Sequence, residues 1–596
     1  MRAQDTLVLS AVLLIAAASG NAKAQQGTVP ARTESPSARD DSFTTRYKSS
    51  SYVPLDSWIY SAIDRLTAMG YMPTGTASVR PLTRLECARL LAEAHSILDD
   101  EDSTAETLIA ALDEELAYET SVIDGGRNTQ ATTESAYTRF TGIAGTPLRD
   151  SFHFGQTLDD DNGRPYGQGG NVIAGFSGRA VAGLASLYMR GEYQYASAIP
   201  AYSTAVQQAI ANFDQYSETW YLPNGTPLPP NFDMISGTAN RVRFVEAYAS
   251  INVANWQISF GQQNLWWGPD RTTSLVMSNN AQALPMLRFA RVKPIRMPHF
   301  LSWVGPVHFD SFFAREGGIH YVGLGSPINF DTAIYALYGS PSQPLNPPPY
   351  MWGVTFSFEP TPNFEIGFSH TTIFAGYGRP LNLATFLHTF SINGNGQAVD
   401  PGKRATEFNL YYHLPGFRKS IIVYTEGLAW DDPVQGSFLE RYAMDPGIYL
   451  PQLPHLKKVD LRMEGVYTDL PGLKEAAYFY ANARYVQGYT NYGQILGSWI
   501  GRQGRGGQAS STYWLSARTK ASITYRKMTV DKALLQGGNL DDISGSFIWT
   551  ARPGIELSAT GQYEHWKFPL LAPGVQSNFA TTFQIKIFPK ARAGSE

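Results

Sequence analysis

Apolar residues near the N-terminus recur with the period of a helix. Between residues 51 and 120 they include Trp58, Ile59, Ala62, Ile63, Leu66 and Met69, which share one face at 3.6 residues per turn. Two capping boxes of the form Ser/Thr-x-x-Glu begin at Thr83 and Ser103 and predict the starts of two further helices. Asp56 is predicted to cap the first helix. We therefore predict an N-terminal bundle of three helices over residues 51–120.

From about Tyr137 onwards the period changes to two. Apolar and polar residues alternate over 187–195, 256–260, 513–526 and 555–564, as they do in strands with one apolar face. The alternating strands are roughly 10–14 residues long, which is the length that a tilted membrane-spanning strand requires. A soluble β-sandwich with one wet face alternates as well, so the alternation alone leaves both classes open.

Composition favours the membrane class. Charged residues make up 16% of the chain, below the roughly 25% of soluble domains. Aromatic residues make up 13% and cluster near strand ends, where an interfacial girdle would lie. Strands in lipid must close into a ring, because hydrocarbon offers no partner to an open edge. We predict a transmembrane antiparallel β-barrel of roughly 16–20 strands over 137–589, preceded by a linker at 121–136 and followed by a polar tail at 590–596.

The first residues have the features of a secretory signal peptide. Arg2 supplies a positive charge, an apolar stretch follows, and Ala22-Lys23-Ala24 fits the small-x-small cleavage rule. We predict a signal peptide at 1–24 and a flexible polar leader at 25–50. The mature chain offers no run of ~18 apolar residues, so no transmembrane helix is predicted. Together with the barrel, the signal predicts an outer-membrane location.

Several motifs resemble those of the Wzi-type capsule-assembly family. The most specific one is Trp266-Trp267-Gly268-Pro269, which leads on to residues 278–281. Weaker likenesses lie at 350–353, 362–367, 426–433 and 497–502. The resemblance covers most of the chain. It implies a barrel of about 18 strands, even-numbered like other bacterial single-chain barrels, a lumen plugged by protein, and a lectin that holds capsular polysaccharide on the cell surface.

Two further segments bear on partners and on the pore. The helical region between Trp58 and Glu86 resembles a single S-layer-homology unit. That likeness implies binding of a cell-wall polymer through the bundle, with a purely structural bundle as the alternative. Residues 201–213 predict a short helix between strands, which folds over or into the pore.

Two segments combine the residue types that sugar recognition requires. Flat aromatic rings cover pyranose faces, and arginine binds the carboxylates of acidic sugars in bidentate fashion. The predicted glycan contacts are Trp266, Trp267, Asp270, Arg271, Trp499, Arg502 and Arg505. For the first group, the alternative is an aromatic anchor at the membrane interface or a contact of the plug.

The sequence offers no motif for catalysis or for a metal ion. It contains no nucleophile motif, zinc spacing or phosphate loop, and the Asp159-Asp160-Asp161 run does not match an EF-hand. Scattered carboxylates, Glu407, Glu426, Asp431 and Glu464, would have to pair in space for a glycosidase. We therefore predict no enzyme, no cofactor and no metal.

The leading functional hypothesis is a monomeric, non-catalytic outer-membrane lectin. Its partners are capsular or other extracellular polysaccharide and outer-membrane lipid. The net charge of −4 does not indicate a nucleic-acid partner. The alternative from another class is a porin or a polysaccharide export channel. Cys87 is the single cysteine and is predicted to be an inert core residue.

Overall fold

A computed structural model describes residues 45–98, 102–214, 237–318, 348–376, 381–390, 402–430, 442–470, 479–482, 485 and 487–589. Within these residues, 18 antiparallel strands close into one barrel, which confirms the predicted fold class. In chain order the strands are β1 (Thr129–Ala144), β2 (Gly169–Ala182), β3 (Ala185–Ile199), β4 (Gly237–Val253), β5 (Trp256–Gln263), β6 (Leu284–Arg291, continued by Ile295–Arg296), β7 (Pro306–Arg315), β8 (Tyr350–Thr361), β9 (Phe364–Phe374), β10 (Arg404–His413), β11 (Ile422–Trp430), β12 (Ala443–Leu450), β13 (Val459–Tyr467), β14 (Gly504–Trp514), β15 (Lys520–Val530), β16 (Gly538–Arg552), β17 (Ile555–Lys567) and β18 (Gln576–Ile587).

The two faces of the barrel wall differ as the alternation predicts. Phe140 on β1 and Phe583 on β18 are cross-strand partners across the closure, and both rings are exposed on the outer face. Phe260 on β5 is 72% exposed there. Inward-facing side chains include buried ion pairs, as in Arg288 with Asp310 at 2.8 Å. An apolar outer belt around a polar interior is the arrangement that lipid on the outside requires.

The two ends of the barrel differ in the length of their connections. At one end the strands are joined by short turns, among them 183–184, 254–255, 362–363 and 553–554. At the other end the connections are long, such as 145–168 and 264–283. Short turns mark the periplasmic end of bacterial barrels and long loops the extracellular end.

Three N-terminal helices pack into the short-turn end. They are α1 (Trp58–Ala68), α2 (Arg84–Ile97) and α3 (Ser103–Ile123). The Arg65 guanidinium on α1 donates to the carbonyls of Pro451 and Lys457 in a wall turn, at 2.9 Å and 2.6 Å. Trp514 and Ala517 of the wall belong to the apolar core of the bundle. The predicted three-helix bundle is therefore present and is part of the barrel's interior.

Two of the predicted helix caps are wrong by one residue. Thr83 caps α2 as predicted, since its side chain accepts from the Glu86 N–H. The caps of α1 and α3 are Ser57 and Asp102 instead. Asp56 is not free to cap, because its carboxylate accepts from Arg190 of β3 at 2.8 Å. Among the described residues, no helix is both long and apolar enough to cross a membrane.

Three predicted boundaries shift. The signal peptide, the leader up to residue 44 and the tail 590–596 lie outside the described residues. Residues 45–50 were predicted as flexible leader, but Ser49 is buried and its N–H donates to Gly183 O at 2.9 Å. The linker spans 124–128, because the wall begins at Thr129 rather than Tyr137. The early part of β1 was missed because it carries no large apolar residue.

The alternating run 513–526 is two strands rather than one. β14 ends at Trp514 and β15 begins at Lys520, and the Leu515 N–H donates to Thr519 O in the turn between them. Residues 515–519 contain neither Gly nor Pro, so the turn leaves no mark on the alternation. Cys87 is fully buried on α2, where burial raises the pKa of its thiol. That environment suits the inert role predicted for it.

Candidate functional site

The lumen at the long-loop end is filled by the protein's own loops. Segments 145–168, 264–283 and 487–503 fold inward, together with the helix α4 (Thr204–Phe213). Their side chains form one hydrophobic cluster with inward-facing residues of the wall. The short helix predicted at 201–213 is therefore present and lies in the pore, with Ile210 fully buried. A plugged lumen was implied by the family resemblance.

The Trp266-Trp267 segment lies inside this plug. It pairs as a short strand with Val79–Arg80, which leads into the helix α2. The Trp267 indole is completely buried and donates to Asp310 of β7 at 3.3 Å. The Trp266 indole donates to the backbone carbonyl of Asp270 at 2.9 Å. The motif thus joins the bundle, the loop 264–283 and the barrel wall.

Asp270 and Arg271 follow directly in the same loop. The Arg271 guanidinium donates to Asp64 of α1 at 2.9 Å and to Ala77 O at 2.8 Å. Its backbone N–H donates to Glu464 of β13 at 3.0 Å. Asp270 is completely buried. Arg271 is therefore committed to contacts that hold the loop against the bundle.

The second predicted segment meets the first inside the lumen. Trp499 donates through its indole N–H to Thr272 O at 3.0 Å, and the Arg526 guanidinium lies over its ring. Arg502 pairs with Asp214, the cap residue of α4, at 2.7 Å and is buried. Arg505 lies apart from them, exposed on β14. Six of the seven predicted residues thus contact protein, and direct glycan contact by any of the seven stays a prediction.

His153 is a buried residue that the sequence did not single out. Its two ring nitrogens lie 2.7 Å from Asp150 and 2.8 Å from Asp214. Burial opposes the charge on His153, but these two carboxylates outweigh it and raise its pKa to about 9. Together with Arg502, the charged imidazole ties the loop 145–168 to the end of α4. An isolated His in a loop carries no sequence signal for such a role.

Cavities lined by described residues remain beside the plug, and two of them bear on ligand binding. At the short-turn end, a cavity of about 830 Å³ lies between the bundle and the wall. Its charged lining includes Arg84, Glu134, Arg190, Lys520 and Glu556, and we call it the bundle cavity.

A smaller pocket of about 70 Å³ lies at the long-loop end. It is lined by Arg149, Arg241, Gln282, Tyr492 and Gln494, among others, and we call it the mouth pocket. Tyr492 is 44% exposed, while Arg241 donates to Gln194 at 3.1 Å. The sequence analysis missed these residues because they come from four separate loops and strands.

Buried carboxylates converge on the inner side of the plug. Asp270 meets Glu426 of β11 and Asp445 of β12, and one carboxylate oxygen of each lies within 4.8 Å of the others. Glu407 lies next to Glu426, and Glu464 lies near Asp270. Asp431 lies outside the described residues. Glu407, Glu426 and Glu464 therefore do come together in space, but all three side chains are buried, away from the open cleft that a glycan chain requires.

Comparison with known protein families assigns this barrel to a family. A family model described as capsule assembly protein Wzi matches residues 139–581. The chain belongs to the Wzi family. The match covers nearly all of the barrel wall and confirms the resemblance carried by the Trp266-Trp267-Gly268-Pro269 motif.

Two individual relatives are consistent with membership of the Wzi family. One is an uncharacterized 55.8 kDa protein in the cps region of Klebsiella pneumoniae, 25% identical over 170 residues. That match spans 28% of this chain and 29% of the relative. The other is a solved structure of Wzi, described as an outer-membrane protein involved in group 1 capsule assembly in Escherichia coli and as a carbohydrate-binding β-barrel. It has a TM-score of 0.60 at 16% identity, over 90% of this chain and 99% of that chain, and therefore supports the fold.

Proposed function

We propose that this protein is a non-catalytic, monomeric outer-membrane lectin that retains capsular or other extracellular polysaccharide at the cell surface. The observation that supports it most is a barrel of the Wzi family whose lumen is filled by its own loops. A filled lumen opposes the alternative of a diffusion porin or export channel. Binding of a cell-wall polymer by the bundle stays a prediction, for which the bundle cavity offers space.

We place the glycan at the mouth pocket. The exposed Tyr492 ring supplies a flat apolar face for a sugar. The guanidinium groups of Arg149 and Arg241 line the same pocket and suit the carboxylates of an acidic polysaccharide. In this arrangement most of the predicted residues act indirectly, because they hold in place the loops that shape the pocket. These residues are Trp266, Trp267, Asp270, Arg271, Trp499 and Arg502. Arg505 remains a candidate for direct contact on the exposed wall.

Weak binding at each pocket is sufficient for retention. A polysaccharide repeats the same unit many times, so neighbouring copies of the protein hold one polymer at once. The effective concentration of the next unit then raises the overall avidity by roughly 10²–10⁴. A shallow pocket of this size is therefore compatible with firm retention of a long chain.

Polysaccharide retention and glycan binding test this proposal together. A deletion strain that synthesises polymer normally should shed it, and wild-type protein should restore retention. Purified Tyr492→Ala and Arg241→Gln should bind the strain's own polysaccharide at least tenfold more weakly. Tyr193→Ala removes another exposed tyrosine, from β3, and should bind like wild type. If all three variants bound the polysaccharide as tightly as wild type, the mouth pocket would not be the glycan site.

The rival functions have readouts of their own. A plugged barrel should give little conductance in a planar bilayer, whereas large and steady conductance would favour a porin or channel. Incubation with a capsule-derived oligosaccharide should leave it intact. Release of shorter products that depends on the protein would contradict a non-catalytic role.

A further inference from the structure

The convergent carboxylates of the plug and the wall are like charges that lie close together inside the barrel. Glu426 and Asp445 are direct cross-strand partners on β11 and β12. Like charges in that position repel each other. Asp270 approaches both from the loop 264–283, and all three side chains are completely buried. The fold has therefore brought three acidic groups together where their repulsion is least screened.

The oxygens of this cluster lack donors among the described residues. Neither carboxylate oxygen of Asp270 accepts a hydrogen bond from an N–H or hydroxyl group, and the same holds for Asp445. Glu426 accepts from the Leu275 N–H through Oε2 at 2.7 Å, which leaves its Oε1 unpartnered. An unpartnered buried carboxylate is costly and is relieved either by a proton or by a bound cation, and five such oxygens meet in this one place.

A fourth carboxylate points at the same place from a third strand. Glu407 of β10 is buried, and its carboxyl group lies within hydrogen-bonding reach of that of Glu426. Some other buried acids of the lumen do have arginine partners, as Asp542 has in Arg526 at 2.6 Å and Asp310 has in Arg288. No described arginine pairs with the cluster carboxylates in this way.

We propose that Asp270, Glu426 and Asp445 bind a calcium ion, with Glu407 as a further ligand. Calcium takes oxygen ligands at 2.3–2.6 Å, so oxygens on opposite sides of one ion lie up to about 5 Å apart. The three oxygens lie within 4.8 Å of one another, so one calcium ion can contact all of them. Magnesium usually keeps several waters and takes only one or two carboxylates, so a set of three or four buried carboxylates favours calcium. The ion supplies a positive charge in direct contact with these oxygens.

This site gives the Trp266-Trp267-Gly268-Pro269 motif a physical role. Gly268 has φ +126°, and a Cβ at this position would overlap the carboxylate of Glu426. Only glycine lets the loop come close enough for Asp270, two residues later, to join the wall carboxylates. Calcium then fastens to β11 and β12 the loop 264–283, which contributes Gln282 to the mouth pocket. The calcium site stands independently of whether the protein binds glycan.

Calcium titration of the detergent-solubilised full chain, stripped with EDTA and dialysed, tests the site. Isothermal titration with CaCl₂ should show about one ion per chain, with MgCl₂ binding more weakly. Calcium should also raise the thermal unfolding temperature. Asp445→Asn and Asp270→Asn should each weaken calcium binding at least tenfold and abolish that rise. Asp542→Asn is the matched control, because it changes a buried lumen acid outside the cluster, and should bind calcium like wild type.

Without calcium, the substitution is expected to have the opposite effect on the unfolding temperature. Asp445→Asn removes a repelling charge, so without calcium it should unfold at the wild-type temperature or above it. A folded variant is thus expected, and lost calcium binding is not confused with lost folding. The proposal is overturned if stripped wild type neither binds calcium nor gains stability from it. It is equally overturned if the Asp270→Asn/Asp445→Asn double variant binds calcium with wild-type affinity.

Discussion

The two halves of the lumen are closed in different ways. At the long-loop end, inward-folded loops build a continuous apolar cluster that contains Trp267 and Trp499. At the short-turn end, the bundle meets the wall through ion pairs, such as Arg190 with Asp56 and Arg179 with Glu119, as well as through apolar contacts. It also leaves a cavity of about 830 Å³. Apolar packing excludes water, whereas charged contacts tolerate it. The difference indicates that the loops seal the barrel and the bundle only lines its inner end.

The largest effect is expected from breaking the apolar seal. Trp267→Ala removes a completely buried indole from the plug, and such truncations cost about 3–5 kcal/mol of unfolding free energy. The loop 264–283 should also loosen, so conductance in a planar bilayer should rise above that of wild type. Chemical unfolding and single-channel recording measure the two effects.

A tryptophan at the opposite end provides the control for the seal. Trp303 lies in the short-turn connection and is 61% exposed. Trp303→Ala should change neither the unfolding free energy nor the conductance appreciably. If Trp267→Ala left the conductance at the wild-type level, the loop 264–283 would not be the seal.

The same contrast explains what the sequence could and could not predict. Alternation identified strands such as β3 and β5, because a wall between lipid and a polar lumen imposes a period of two. Helical spacing and the Thr83 cap identified the bundle. Both signals come from neighbours along the chain, and they produced the barrel without any knowledge of its interior.

The contacts inside the barrel could not be predicted from the sequence, because they join segments that are distant in the chain. An indole next to a Gly-Pro turn looks the same in the sequence whether it faces a sugar or, like Trp267, a strand of the wall. Asp270 and Asp445 lie far apart in the chain, and the inward-folded loop 264–283 brings them together. The helix of the plug was predicted from its own spacing, whereas the inward-folded loops were expected from the family resemblance, since they show no period.

A rise in pH should weaken the charged contacts that His153 makes at the long-loop end. His153 has its pKa raised to about 9 by Asp150 and Asp214, despite its burial. The folded state holds this proton more tightly than the unfolded state. The stabilisation is therefore full below the ordinary pKa of 6.5 and is lost as the pH rises through about 9. The expected loss is about 3 kcal/mol, measured as unfolding free energy between pH 6 and pH 10.

The variant His153→Gln separates this effect from other titrating groups. It should be less stable than wild type at neutral pH, but it should lack the extra alkaline loss. Parallel pH profiles for wild type and His153→Gln would show that the imidazole does not carry the charge assigned to it.

The smallest effect is expected at the bundle end. Burial raises the pKa of Asp56, but Arg190 outweighs it and holds the pKa well below the usual range. The Asp56 side chain is nevertheless 39% exposed, so solvent screens the pair and Asp56→Asn should cost only about 0.5–1 kcal/mol. Arg190 keeps a partner in the Tyr137 hydroxyl at 2.9 Å, which limits the loss further.

Conductance of Asp56→Asn should stay at the wild-type level, because the loops still close the other end. Glu114→Gln, an exposed change on α3, sets the baseline, and a rise in conductance with Asp56→Asn would show that the bundle shares in the seal.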